Sequence, residues 1–310
     1  MLSWRVKTVA VSRGLRTDSK LIETFGVIGA GKLEQIERQQ NISKGIALFI
    51  FGLAFFVVGE ALVKLLHDSY GTTQIVWSRY FFHFALTCLF LSRGNILAQA
   101  RSARPWLHAS RSILMLVATA FFFAALEFLP LADAIAVAFL APLLVTAFSI
   151  PLLKETVGWR RWLAVFIGFG GVMIIIRPGA DGTHWAMFLP LISAICYAIY
   201  QILTRIASRV DHANTNLIWT SIIGVSVTSL LVPFVWVTPD ILGWTYMFAL
   251  GASYGVGHYL LIRSLEIAPA SVVSPFLYTQ VIFAAILGLL IFNEFPDPKL
   301  LLFSIVSYSF

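Results

Sequence analysis

The stretch "SLEIAP" at residues 264–269 reads as a second copy of "ALEFLP" at 125–130. In each, a Leu-Glu pair borders a long apolar run and a Pro follows three residues after the Glu. Sliding the chain against itself by 139 residues lays Leu126, Glu127, Pro130 and Glu155 on Leu265, Glu266, Pro269 and Glu294 without a gap. Single identities at this spacing say little. Together they repeat a unit: Leu-Glu, a Pro, an apolar span, a closing Glu.

The apolar runs show what is being repeated. Of the 310 residues 59% are hydrophobic and 12% charged, about half the charge of an ordinary soluble domain. Runs of about twenty apolar residues, long enough to cross a ~30 Å hydrocarbon layer, have cores at 46–66, 74–92, 110–128, 133–153, 160–176, 185–204, 217–236, 241–262, 271–292 and 299–310. From Lys299 only twelve residues remain, or about 18 Å of helix at ~1.5 Å per residue, so the last span is short. The fold expected is an all-α membrane protein of ten transmembrane helices in two five-helix repeats, 45–178 and 184–310, behind a tail of residues 1–44. Five is odd, so the second repeat must enter the membrane inverted relative to the first.

Lys and Arg set the orientation. The tail carries eight of them and no apolar core of signal-peptide type; it reads as cytoplasmic, helical around Leu33–Gln40, with basic residues able to touch anionic lipid. With the tail inside, Arg93, Arg101, Arg104, Arg111, Lys154, Arg160, Arg161, Arg205, Arg209 and Arg263 also fall on the inner side, against Arg177 and Lys299 outside. This distribution, punctuating spans rather than forming a stripe with interleaved aromatics, explains the net charge of +7 without nucleic acid as a partner. Cys88 and Cys196 lie in separate spans and read as small core residues, not a disulfide.

The paired pattern, together with "PLLKETVGWRRWLAVFIGFGGVMIIIRPG" at 151–179, resembles the EamA-type members of the drug/metabolite transporter superfamily over residues 44–310. The resemblance implies a ten-helix carrier with both termini in the cytoplasm; the tenth span lacks a counterpart to "GFGGVMIIIRPG". Within the family, "SRYFFHFALTCLFLSRG" at 78–94 and "RSILMLVATAFFFAALEFLPLADAIAVAFLAPLLV" at 111–145 look most like bacterial vitamin and metabolite importers, among them riboflavin and S-adenosylmethionine carriers.

Charges within the spans point to function, because each costs about 2.5–3.5 kcal/mol at midplane and needs a partner. Glu60 and Lys64 stand four apart on one face of the first span, and Arg79 lies at a similar depth in the second. Glu60 pairing with Arg79 or Lys64 is one expectation; Lys64 snorkelling outward is the other, and the preferred one for that residue. Glu60 and Arg79 either line a site or brace helices. His83 and His258 could relay protons, though a membrane His more often bonds a neighbouring helix. Tyr197 with Gln201, Tyr254 with His258, and Tyr278 with Gln280 offer rings and polar edges suited to a planar ligand such as an isoalloxazine, unless they belong to the interfacial belt that accounts for Trp185, Trp219 and Trp244.

Pro142 and Pro275 should kink the fourth and ninth spans, but they are not repeat-equivalent, since Pro142 aligns with Val281. Gly168, Gly170, Gly171 and "GASYG" at 251–255 read as close helix contacts. Glu127, Glu155, Glu266 and Glu294 read as gate braces or loop caps.

No catalytic, metal-binding or nucleotide-binding motif is present, so no catalytic residue, metal or cofactor is assigned. The function expected is a secondary transporter in a bacterial inner membrane that imports a small metabolite, riboflavin first and S-adenosylmethionine next. An exporter of amino acids or drug-like compounds is the alternative within transport, and a membrane lipid enzyme or flippase the alternative outside it. The partners are a small-molecule substrate and the bilayer, and monomer and homodimer both stay open.

Overall fold

The computed structural model describes residues 19–91, 95–138, 140–153, 185–207, 210–268, 273, 276–277 and 279–293. Among them all regular structure is helical. The helices are α1 (Ser19–His67), α2 (Thr72–Leu91), α3 (Ile96–Ala100), α4 (Pro105–Phe128), α5 (Leu131–Ala138), α6 (Leu140–Leu153), α7 (Phe188–Ala207), α8 (Ala213–Leu231), α9 (Ile241–Ile267) and α10 (Thr279–Phe292), with 3₁₀ turns at Trp185–Met187 and Val232–Val235. The described residues of the expected cores from the first to the fourth and from the sixth to the eighth fall almost wholly on these helices and the two 3₁₀ turns, and of the ninth core residues 279–292 fall on α10. The fifth and tenth lie outside the described residues, as do Glu155, Gly168, Gly170, Gly171, Pro275, Tyr278 and Glu294.

One expectation needs correction. The tail is not helical only around 33–40: α1 begins at Ser19 and runs unbroken into the first span. Pro142 lies in helical backbone, as the third residue of α6.

Local chemistry explains several helix ends. Asp240 caps α9 by accepting the Gly243 N–H at 2.7 Å, and Asn95 caps α3 by accepting the Ala98 N–H at 3.1 Å. Pro105 opens α4, where its missing N–H costs nothing.

Ile42–His67, Pro105–Phe128, Trp185–Ala207 and Asn214–Val235 are long and apolar enough to cross a membrane by length and composition. Helices α2 and α9 match them in length but carry polar side chains, and they turn these inward: Gln74, Ser78, Arg79, His83 and Thr87 on α2, Ser253, His258 and Ser264 on α9. Hydrocarbon offers such groups no partner, so they must find one within the bundle. Accordingly α2 packs on α8 and α9, and α9 packs on α1. The outer surface is apolar instead, with Phe51, Phe90, Leu230, Phe234 and Leu290 exposed.

The packing has a pattern. The most extensive contacts join α1 to α9 and α4 to α7; others join α2 to α9, α4 to α8, α2 to α8, α1 to α10, α6 to α7, and α5 to α10. The connections sort to two ends. At the end predicted to face outward, the Tyr70 hydroxyl donates to Asp240 at 3.3 Å. There Gln74 also exchanges two hydrogen bonds with the backbone of Val237, at 2.7 and 2.9 Å. At the end predicted to face inward, Thr215 donates to the carbonyl of Gln99 at 2.7 Å and Ser264 to that of Gly45 at 2.7 Å.

Two glycine contacts let the central helices approach. A Cβ on Gly52 would sit 3.1 Å from the Gly257 carbonyl oxygen, at the crossing of α1 and α9. One on Gly251 would collide with the Cβ of Phe82 on α2, which agrees with the close-approach reading of "GASYG". Gly71, by contrast, faces open space. Gly251→Val is therefore expected to destabilise the bundle by about 1–3 kcal/mol through overpacking, while Gly71→Ala leaves it unchanged. Thermal unfolding of both variants in detergent checks this.

Candidate functional site

Each central helix gives one stripe of its surface to a shared cavity of about 120 Å³. Leu53, Phe56 and Glu60 come from α1; Met115, Ala118, Thr119 and Phe122 from α4. Both sets follow the i, i+3, i+4, i+7 spacing that lines one helix face. Arg79 enters from α2, Ile135, Ala138 and Ala141 from α5 and α6, Ser193, Tyr197 and Gln201 from α7, Tyr254 and His258 from α9, and Leu277 and Gln280 from the α10 side. The wall is mostly aromatic and aliphatic with a few convergent polar groups, the usual make-up of a small-molecule site.

Of the residues singled out in the sequence, Glu60, Arg79, Tyr197, Gln201, Tyr254, His258 and Gln280 therefore meet around one space. His83 does not line it. It stands behind His258 with the two rings stacked at 5.6 Å, and neither of its ring nitrogens has a hydrogen-bond partner among the described residues. His258 Nδ1 lies 3.0 Å from the Tyr254 carbonyl; a carbonyl can only accept, so Nδ1 carries the proton and Nε2 is left as the acceptor.

The expected partners of Glu60 are corrected. Glu60 does not form an ion pair with Arg79; it accepts a hydrogen bond from Gln280 Nε2 at 2.9 Å, and its other oxygen, Oε2, has no hydrogen-bond partner among the described residues. Lys64 instead donates to the Leu129 carbonyl at 3.3 Å and lies over the Phe292 ring at 5.2 Å.

Arg79 is wholly buried. One terminal nitrogen donates to the Thr119 hydroxyl, which in turn donates to the Met115 carbonyl at 2.8 Å. The guanidinium lies against the rings of Tyr254 at 4.2 Å and Tyr80 at 4.6 Å, and among the described residues Nε and Nη2 have no hydrogen-bond partner. Cation–π contact holds the charge, yet each unpaired N–H costs on the order of 1–3 kcal/mol.

A second arginine, counted in the sequence among the inner-side charges, proves equally buried but fully served. Arg111 donates to Thr204 at 2.9 Å, to Thr220 at 2.8 Å and to the Asn216 carbonyl, tying α4 to α7 and α8. Its Nε donates to His108 Nδ1 at 3.3 Å. Arginine can only donate, so His108 Nε2 carries the proton and gives it to Asp211 at 2.9 Å. Trp219 joins this network, stacking on His108 at 5.7 Å and donating to the Ala100 carbonyl at 2.9 Å. Glu127 has the bracing place expected of it, accepting from Thr72 at 3.4 Å.

Sequence reasoning missed Thr119, Tyr80 and the Arg111 network. Thr119 left a faint signal: it is a hydroxyl four residues from both Met115 and Phe123 on one face of α4.

A helical membrane bundle whose polar residues converge on one ligand-sized cavity defines the class of multi-pass membrane transport proteins. The chain belongs to the EamA-like transporter family, whose family model matches residues 43–177 and again 184–309. It is 25% identical to an S-adenosylmethionine uptake transporter of Rickettsia bellii over 84% of this chain and 90% of that one. It is 26% identical to a riboflavin transporter of Rhizobium johnstonii over 84% and 87%, and 24% identical to a pseudopaline exporter of Pseudomonas aeruginosa over 83% and 90%. A solved crystal structure shares the fold, with a TM-score of 0.63 at 19% identity over 85% of this chain and 94% of that one.

Asp211, in the connection between α7 and α8, supplies a pH test of the inner network. Partial desolvation pushes its carboxyl up, but hydrogen bonds from Ser102, at 2.6 Å, and from His108 outweigh this and hold it below the usual carboxylate range. A depressed value means stability that is full above the unfolded value near 3.9 and lost as pH falls through the folded one. Asp211→Asn is therefore expected to unfold at a lower temperature than the parent at neutral pH. The gap between them should close as pH drops below about 3.9, as read by thermal unfolding across pH.

Proposed function

We propose that this chain is a secondary carrier that imports a small organic metabolite across a bacterial inner membrane by alternating access between two inverted five-helix repeats. The observation that carries the reading is the reciprocity of the packing around the cavity. If α1, α2, α4 and the α5–α6 pair of the first repeat correspond to α7, α8, α9 and α10 of the second, the exchange maps the α1–α9 contact onto α7–α4. It maps α2–α9 onto α8–α4, and α1–α10 onto α7–α6, and it returns α2–α8 and α5–α10 to themselves. Each of these contacts is present. The family model's two separate matches, at 43–177 and 184–309, favour the same division.

In such a carrier the site lies between the halves near midplane, and rocking one half against the other opens it to alternate sides. The networks at the two ends are then gates: Tyr70–Asp240 and Gln74–Val237 outside, Ser102–Asp211–His108 inside. Import is favoured by relatives named as uptake transporters in Rickettsia bellii and Rickettsia prowazekii. Riboflavin and S-adenosylmethionine are the two substrates those and the riboflavin relatives recommend.

The purified protein in sealed vesicles should show saturable uptake of one of these two compounds. Tyr254→Ala should cut that uptake roughly two- to tenfold, as expected for an aromatic contact worth about 0.5–1.5 kcal/mol. Folded protein that moves neither compound, or turns over lipid without any flux, contradicts the proposal.

A further inference from the structure

The segment from Asn95 to Trp106, which carries α3 and turns into α4, is clipped to the bundle on one side and bare on the other. On the clipped side Asn214 donates to the Gln99 side-chain oxygen at 2.9 Å and Thr215 to the Gln99 carbonyl at 2.7 Å. The Trp219 indole donates to the Ala100 carbonyl at 2.9 Å, and Ser102 donates to Asp211 at 2.6 Å. Ser102 also accepts the Arg104 N–H at 2.9 Å, which fixes the turn into α4. On the bare side Leu97 is 81% and Trp106 86% exposed, and Arg101 and Arg104, between them in the chain, are exposed as well. Among the described residues no carboxylate pairs with either arginine. The carboxylate that this segment does meet, Asp211, is occupied by Ser102 and His108.

We propose that this bare face is a binding site for the headgroup of an anionic phospholipid in the leaflet at this end of the bundle. The stretch of α4 able to cross a membrane begins at Pro105, and that of α8 at Asn214, so the elbow between them lies at headgroup depth. There the two guanidiniums meet phosphate oxygens, which accept their N–H groups in parallel pairs. Trp106 sits at the level where indoles are ordinarily found, and Leu97 enters the acyl boundary. Arginines beside apolar side chains are the make-up of segments that lie in the interface. A zwitterionic lipid cancels the attraction with its own cation, whereas an anionic leaflet draws basic side chains to it. A soluble anion would serve the arginines and leave Leu97 and Trp106 bare. The other side of the same short segment holds Asp211, Asn214, Thr215 and Trp219. A headgroup that fixes the elbow therefore fixes the inner contacts of α8 with it.

This inference rests on the chain spanning a bilayer, as the carrier reading requires, but its readout needs no flux, so the two fail separately. The full chain in a neutral detergent is unfolded by heat with phosphatidylglycerol, phosphatidylcholine or soluble glycerol phosphate added. Phosphatidylglycerol is expected to raise Tm, and the other two are not. The double variant Arg101→Gln with Arg104→Gln should need roughly tenfold more phosphatidylglycerol for the same rise, as two arginines near an anionic surface imply. Lys44→Gln removes an exposed charge from the same end and should leave the response unchanged. Each variant in phosphatidylcholine supplies its own baseline. In the parent chain, amide hydrogen exchange at residues 95–104 and 211–220 should slow in phosphatidylglycerol bilayers relative to phosphatidylcholine ones, a readout that needs no variant. Equal rises with both lipids, a rise kept in full by the double variant, or one lost equally in Lys44→Gln overturns the inference. So does a rise with glycerol phosphate that matches the lipid's, or exchange at those residues that the anionic lipid leaves unchanged.

Discussion

The guanidinium of Arg79, wholly buried between the rings of Tyr80 and Tyr254, sets the terms for the centre of this molecule. A charge inside a membrane bundle needs polarisable faces or hydrogen-bond acceptors from its neighbours, because the hydrocarbon supplies neither. Helix α2 carries that charge, so α2 must be enclosed. It is enclosed by α4, which contributes Thr119, by α9, which contributes Tyr254, and by α8, whose Gly224 leaves room for the Tyr80 ring. The close approach of α9 to α2 at Gly251, and of α9 to α1 at Gly52 and Gly257, follows from the same requirement. Small residues let the helices come near enough for their polar groups to meet.

The two ends of the bundle solve a different problem. There side-chain bonds hold neighbouring segments together, some buried, such as Gln74–Val237 and Ser264–Gly45, and some at exposed positions, such as Thr72–Glu127. The exposed ones can be exchanged for water at modest net cost, since a typical hydrogen bond contributes about 0.5–1.5 kcal/mol. A bundle with a strongly held centre and replaceable end contacts is suited to opening at its ends. Arg111 is the exception, because its three helices are joined by a buried fork of bonds that a water molecule cannot reproduce.

Much of this was legible in the sequence for a physical reason. Apolar spans, their lengths and the Lys/Arg distribution are read directly by the bilayer, so the helices at 46–66, 74–92 and 241–262 could be placed without tertiary information. Polar residues in those spans stand out against an apolar background, which is why Glu60, Arg79, Tyr254 and Gln280 could be named before their meeting was known. Partners were harder. Glu60 and Lys64 sit at ideal helical spacing, yet Glu60 bonds Gln280, 220 residues away. Spacing along one helix says nothing of which helix lies opposite. Arg111 and Trp219 lie near span ends, where charge and indole ordinarily face the interface, and only the packing of α4 against α7 and α8 reveals that the guanidinium is buried and the indole bonded to Ala100.

Alternating access between inverted halves demands that the two ends of the bundle move in opposition. Electron–electron distances between spin labels at Ser69 and Thr238, and separately at Ala103 and Val210, would report the two ends of the same protein in lipid. Adding whichever of S-adenosylmethionine and riboflavin is transported should redistribute both populations in opposite senses, one pair drawing together as the other separates. Distances that stay fixed at both ends while transport proceeds, or that widen together, would contradict the account.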